Sequence, residues 1–192
     1  MDDIIQLKII LDETEPIIWR RIQVEKVTTF FQLHSIIQTT MGRGCNYPFN
    51  FKVDGYVLGE PTTTGINQSA KAKVIIDSRE IDMESIFVKP GERFTYSSYL
   101  RNRCKHKIIL EKFQPKDPKQ NYPVCIDGEL AAPPEDCPSV EEYYDWLEIV
   151  QYRNHLWRRS VLKWLGKNFD PGFFDKEKVN MRLGNLVKCY NK

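Results

Sequence analysis

The chain has 192 residues, of which 41 % are hydrophobic, 12 % aromatic and 28 % charged, a composition that excludes a disordered, collagen-like or low-complexity chain. Its 28 Lys and Arg nearly balance 26 Asp and Glu, and the net charge of +2 excludes a strongly basic or strongly acidic electrostatic binder. A chain of this length can bury about 70 % of its surface, enough for one core without a metal or disulfide.

The N-terminal stretch reads as a β-hairpin. Ile5, Leu7, Ile9 and Leu11 share one face, the cluster 12–16 turns the chain, and Ile18, Ile22 and Val24 follow at even spacing. Thr28 or Thr29 caps a helix whose apolar face is Phe30, Leu33, Ile36, Ile37 and Met41, ended by Gly42 or Gly44. Residues 49–53 alternate strictly, and Asp54-Gly55 turns them into a second strand at 56–58. Residues 59–72 read as an exposed loop, 73–77 as a short strand and 82–88 as one helical turn. Two further strands fall at 93–98 and 105–113.

Residues 114–138 carry Pro115, Pro118, Pro123, Pro133, Pro134 and Pro138, which excludes helix and central strand. The segment is expected to be an ordered loop around the core, or a linker. Ser139 then caps a helix, with Glu142 completing a capping box and Tyr143, Trp146, Leu147 and Val150 as its stripe. A second helix is expected over 154–165, with Trp157, Val161, Trp164 and Leu165 inward, and a last one from Asp175 with Val179, Leu183, Leu186 and Val187. Residues 125–150 hold acids and no Lys or Arg, whereas 151–169 hold Arg153, Arg158, Arg159, Lys163 and Lys167 and no acid. These are expected to be two solvated helix faces that attract each other.

The expected fold is therefore a single α+β domain over 1–192. A largely antiparallel or mixed sheet, β-grasp-like in its order of elements, packs on one main helix over 1–113. A Pro-rich loop and C-terminal helices over 139–192 complete it.

The segment Pro16-Ile17-Ile18-Trp19-Arg20-Arg21-Ile22-Gln23-Val24 resembles the PPIWRRIxV signature of the plasmid pRiA4b ORF-3-like family. Leu33–Gly42 resembles that family's LHxxIQxAMGW helix, and His106–Lys112 its WxHxIxLEK strand. Tyr122–Cys137 is similar to its YPxCxxGxxACPPEDC loop, and Trp164-Leu165-Gly166, Phe169-Asp170-Pro171 and Val179-Asn180 to its C-terminal block. The resemblance covers nearly the whole chain. It implies an α+β domain found on plasmids and in transposon-associated reading frames, with no catalytic activity attached. Two motifs depart. Arg43, Tyr47 and Phe49 stand where the family has a Trp and two His, and around 96–106 its acidic residues and Trp are lost while His106 remains. If those polar residues form a site in relatives, this chain is a degenerate member.

No run of apolar residues is long enough to span a bilayer, and Met1-Asp2-Asp3 does not read as the start of a signal peptide, so none is expected. Five cysteines, odd in number and without Cys-x-x-Cys, read as reduced thiols of a cytoplasmic protein. His106, Cys125, Glu135, Asp136 and Cys137 form a candidate polar cluster of zinc-like ligand types. Their spacing is not that of a zinc ribbon, so no metal or cofactor is assigned. Buried thiols that pin the loop are the simpler reading. Cys104 and His106 are too far apart on one strand face for a nucleophile pair, and His106 reads as a satisfied core histidine. No catalytic residues are assigned. Arg101, Arg103, Lys105 and Lys107 alternate along the strand and would project from the face opposite His106, about 6.6 Å apart, near a phosphate repeat. Arg20 and Arg21 are expected to bridge the sheet to the Pro-rich loop through Glu135 or Asp136. The leading functional expectation is a cytoplasmic binding module for nucleic acid or a protein partner linked to mobile elements, without membrane contact. The alternative is a degenerate metal-dependent or hydrolytic enzyme using the His106/Cys125/Cys137 region.

Overall fold

The computed structural model describes residues 3–61, 75–99, 103–166 and 168–190. Eight strands and four helices follow the order β1 (Ile4–Leu11), β2 (Trp19–Glu25), α1 (Phe30–Thr40), β3 (Phe49–Val53), β4 (Tyr56–Gly59), β5 (Ile75–Asp77), β6 (Arg93–Tyr99), β7 (Arg103–Gln114), β8 (Val124–Glu129), α2 (Val140–Gln151), α3 (Arg158–Leu165) and α4 (Lys176–Tyr190). The strands form one mixed sheet in the order β5-β4-β3-β6-β7-β1-β2-β8. Its β4–β5 pair is parallel and the other pairs are antiparallel. The fold is α+β.

Alternation sets the two faces of the sheet. Leu7, Ile9, Ile22, Phe51, Phe94, Tyr96, Ile108 and Leu110 point inward and are buried with Phe30, Leu33 and Ile37 of α1. Thr29 caps α1 with a full capping box, its side chain accepting from Gln32 N while the Gln32 side chain accepts from Thr29 N. Met41 closes the helix, and Gly42 follows at a φ of 77°, a left-handed conformation that glycine adopts without strain. A second cluster, Leu11, Ile18, Tyr143, Val161 and Leu165, seats α2 and α3 at one end of the sheet.

Two expectations change. Residues 114–138 are not loop throughout, because β8 occupies the proline-free window between Pro123 and Pro133. β8 pairs only with β2 at the sheet edge, where flanking prolines are tolerated. Residues 82–88 form the expected single helical turn, closed by Phe87 N donating to Met83 O at 3.0 Å. The basic helix begins at Arg158, not Asn154, and Trp157 and Trp164 are exposed instead of inward. Most of the expected loop 59–72 lies outside the described residues. Among the described residues no helix is long and apolar enough to cross a membrane.

Candidate functional site

Between α1 and the inner sheet face lies a line of buried polar side chains. Tyr96 on β6 and His34 and Gln38 on α1 meet there, because the strand points one and the helix two polar side chains into an apolar layer. Gln38 Nε2 donates to Tyr96 Oη at 2.6 Å, and Tyr96 Oη lies 2.6 Å from His34 Nδ1. His34 Nε2 is 3.0 Å from the carbonyl oxygen of Cys45. A carbonyl only accepts, so Nε2 carries the proton, Nδ1 accepts, and Tyr96 donates to it. Burial holds the His34 pKa below its ordinary value, which keeps this neutral tautomer. Phe49, standing where the resembling motif has a His, stacks flat on the His34 ring with centroids 3.8 Å apart.

His106 sits beside this chain of bonds. Register pairs it with Tyr96 across β6–β7, and the two ring centroids are 5.5 Å apart. It is 1 % exposed. Neither ring nitrogen has a hydrogen-bond partner among the described residues. The expected satisfied histidine is therefore buried but unpartnered. Burial first, and the nearby Arg43 charge second, push its pKa down to about 3. Arg43 Nη1 donates to Cys104 Sγ at 2.7 Å, while the buried Arg43 Nε has no partner among the described residues.

The candidate polar cluster is spread over separate places. Cys125 is buried in β8, and Cys137 is half-buried and donates from Sγ to Ser139 O at 3.2 Å. Burial pushes both thiols up to about 11, so both are protonated at neutral pH. Glu135 accepts from Gly44 N at 3.1 Å and ties the chain after β8 to the turn after α1. Asp136 is exposed. Among the described residues no three His, Cys, Asp or Glu side chains converge into a metal-ligand set. The four described cysteines are free.

The arginine pair divides its work. Arg20 points inward, 2 % exposed. It donates to the carbonyls of Trp19 at 2.7 Å, Glu129 at 2.8 Å and Leu130 at 2.9 Å, and lies 3.9 Å over the Phe174 ring. Arg21 points outward and pairs with Glu111 at 2.7 Å and Asp127 at 2.9 Å. The pair does bridge the sheet to the following segment, but through backbone carbonyls and Asp127 rather than Glu135 or Asp136.

The outer sheet face carries the basic residues. Arg101 lies outside the described residues, and of Arg103 only the backbone is described. Lys105 is half-buried, and exposed Lys107 pairs with Asp12 at 2.5 Å. Register adds cations that spacing along one strand does not reveal. Lys52, Thr95, Lys107, Ile10 and Trp19 lie in one cross-strand row, and Arg93, Ile109, Lys8 and Arg21 in the next. Lys8 and Arg21 flank the Trp19 ring at 4.4 and 4.9 Å from its centroid.

Comparison with known proteins covers almost the whole chain. A family described as plasmid pRiA4b ORF-3-like protein matches residues 3–178. The uncharacterized protein y4hQ of Sinorhizobium fredii is 23 % identical over 186 residues, spanning 96 % of this chain and 92 % of that one. The crystal structure of the protein of unknown function MM3350 from Methanosarcina mazei Go1 is 27 % identical, with a TM-score of 0.77, and covers 91 % of this chain and 96 % of that one.

Proposed function

Since the chain belongs to the plasmid pRiA4b ORF-3-like family, we propose that it is a non-enzymatic, cytoplasmic binding module that takes single-stranded nucleic acid on its outer sheet face. The observation that carries this reading is the spread of Lys52, Arg93, Lys107, Lys8 and Arg21 over two adjacent cross-strand rows of the outer face, with Trp19 at one end beside Lys8 and Arg21. Cations spread over a sheet face track phosphates, and an aromatic ring among them offers a base a stacking surface. Asp12, Glu111 and Asp127 neutralise part of that charge, which favours weak and salt-sensitive binding over tight binding. The plasmid in the family's name supports a role beside mobile-element machinery.

The enzyme reading rests on unpartnered His106. Against it, Cys125 and Cys137 are protonated thiols held by backbone carbonyls, and His106 is not bonded to any nucleophile among the described residues.

The test is a fluorescence-anisotropy titration with mixed DNA and RNA oligonucleotides at two salt concentrations. Wild type is compared with a variant carrying Lys52→Glu, Arg93→Glu and Lys107→Glu. Micromolar binding that weakens steeply with salt and disappears in the variant is expected. No binding by wild type at low salt overturns the reading.

A further inference from the structure

We propose that the α2–α3 helix pair is a self-complementary docking surface for a second copy of this chain. Three features meet there. First, the pair leaves large apolar side chains in solvent: Tyr152 is 59 %, Leu156 86 %, Trp157 61 % and Trp164 58 % exposed. Several large apolar side chains left in solvent on one short stretch of chain favour an interaction surface. Second, charge is segregated by helix. Glu141, Asp145 and Glu148 fall at spacings of four and three on α2 and share a face, and Arg159 and Lys163 are four apart on α3. Third, those charges are unspent inside the chain. None of them is in an ion pair among the described residues. Arg158 uses its Nε on the Val150 carbonyl at 3.1 Å instead. The expected attraction between the two helices is thus not made as ion pairs within one copy.

The shapes match the charges. Beside α2 runs a groove of about 380 Å³ lined by Ser139, Glu141, Glu142, Asp145, Trp146 and Ile149. Its Trp146 stacks on Trp164 of α3 with centroids 6.4 Å apart. A two-fold axis beside α3 sets the Arg159 and Lys163 face of one copy against the acidic groove of the other. The same contact forms twice, as an isologous interface requires. Acids at Glu141 and Asp145 repel phosphate, which makes a nucleic acid a poor occupant of this surface. A chain that carries both halves of the charge pattern is the partner whose complementarity is already present.

Sedimentation equilibrium of the full chain over a micromolar concentration series tests this. Wild type is expected to reach twice the chain mass of 22.6 kDa, and more readily at low salt. An acid-side variant (Glu141→Lys, Asp145→Lys) and a base-side variant (Arg159→Glu, Lys163→Glu) are each expected to stay monomeric alone. Mixed together they are expected to restore the dimer, because one of the two contacts is rebuilt between opposite charges. All four positions are at exposed helix surface, so circular dichroism should show both variants folded. A Trp157→Ala variant weakens the dimer without changing charge. A wild type that stays monomeric overturns the proposal. So does a dimer that survives in both charge variants, or a mixture that remains monomeric. Oligonucleotide binding by the acid-side variant should match wild type, which separates this surface from the outer sheet face.

Discussion

Asn180 on α4 holds Cys125 of β8 by both of its backbone polar groups. Its Oδ1 accepts from Cys125 N at 2.7 Å, and its Nδ2 donates to Cys125 O at 2.9 Å. An amide side chain so placed acts as one residue of a missing neighbouring strand. It satisfies part of an edge that would otherwise offer unpaired groups.

Asn180→Ala removes both bonds and leaves two backbone groups to find water. A loss of about 2 kcal/mol is expected in urea unfolding. Asn180→Asp keeps the acceptor but sets a carboxylate against the Cys125 carbonyl, and should cost at least as much. A change below about 0.5 kcal/mol for Asn180→Ala would show the edge to be indifferent to its cap.

Arg20 is a core residue despite its charge. Its guanidinium lies between backbone carbonyls and the Phe174 ring, and burial lowers its pKa to about 10. Arg20→Met fills the space but strands the Glu129 and Leu130 carbonyls, so a loss of roughly 3 kcal/mol is expected. Gly128 belongs to the same sandwich. A Cβ there would lie 2.6 Å from Phe174 Cε1 and 2.9 Å from Arg20 Cδ. Gly128→Ala should therefore destabilise by about 1–3 kcal/mol. Thermal melts of the two variants check both, and a neutral Gly128→Ala would mean that Phe174 yields freely.

His106 makes stability depend on acid. Its folded pKa is lowered from 6.5 to about 3, so between those values the unfolded chain binds a proton that the native chain refuses. Unfolded chains then hold more protons, and stability rises with pH across this window. Wild type should lose stability as pH falls from 6.5 towards 3. His106→Phe should flatten that part of the profile. At pH 7 the substitution removes a buried polar ring with no partner and is expected to be neutral or stabilising. The comparison is of urea midpoints at a series of pH values, and an unchanged slope in His106→Phe would assign the acid sensitivity to other groups.

The outward Arg21 should couple energetically to Glu111. The pair is half-buried and bonded at 2.7 and 3.0 Å, and the Arg21 bond helps hold the Glu111 carboxyl below its ordinary pKa. A double-mutant cycle with Arg21→Ala and Glu111→Ala is expected to give about 0.5–1 kcal/mol, shrinking in high salt. Arg20 and Glu135 should show no coupling beyond error, since Glu135 is bonded to Gly44 N instead.

The hairpins over 4–25 and 49–59 and the Thr29 cap were readable because alternation and capping are local signals. So was the family resemblance, carried by short motifs. What escaped the sequence depended on pairing between distant strands. Tyr96 meets His106 through the β6–β7 register, and Lys52 joins Lys107 through Thr95. Neither spacing along one strand nor residue type reveals such partners. β8 was hidden by counting prolines over 25 positions, although none falls within its own six residues. Trp157 and Trp164 sit at inward-looking positions yet are exposed, because helical periodicity marks an apolar face without saying what covers it. Arg20 was harder still, since a charged residue at an inward position is readable only once the carbonyls around it are in place.

The bond from Asn180 to Cys125 spans 55 positions of chain. A ribosome adding about 5–20 residues per second needs roughly 3 to 11 s to cover that distance. For that interval β8 has been made but its seal has not. Products that end early, before position 180, carry the bare strand permanently. Those are the fragments from which β-addition and clumping should start, whereas a chain that reaches α4 closes the opening itself.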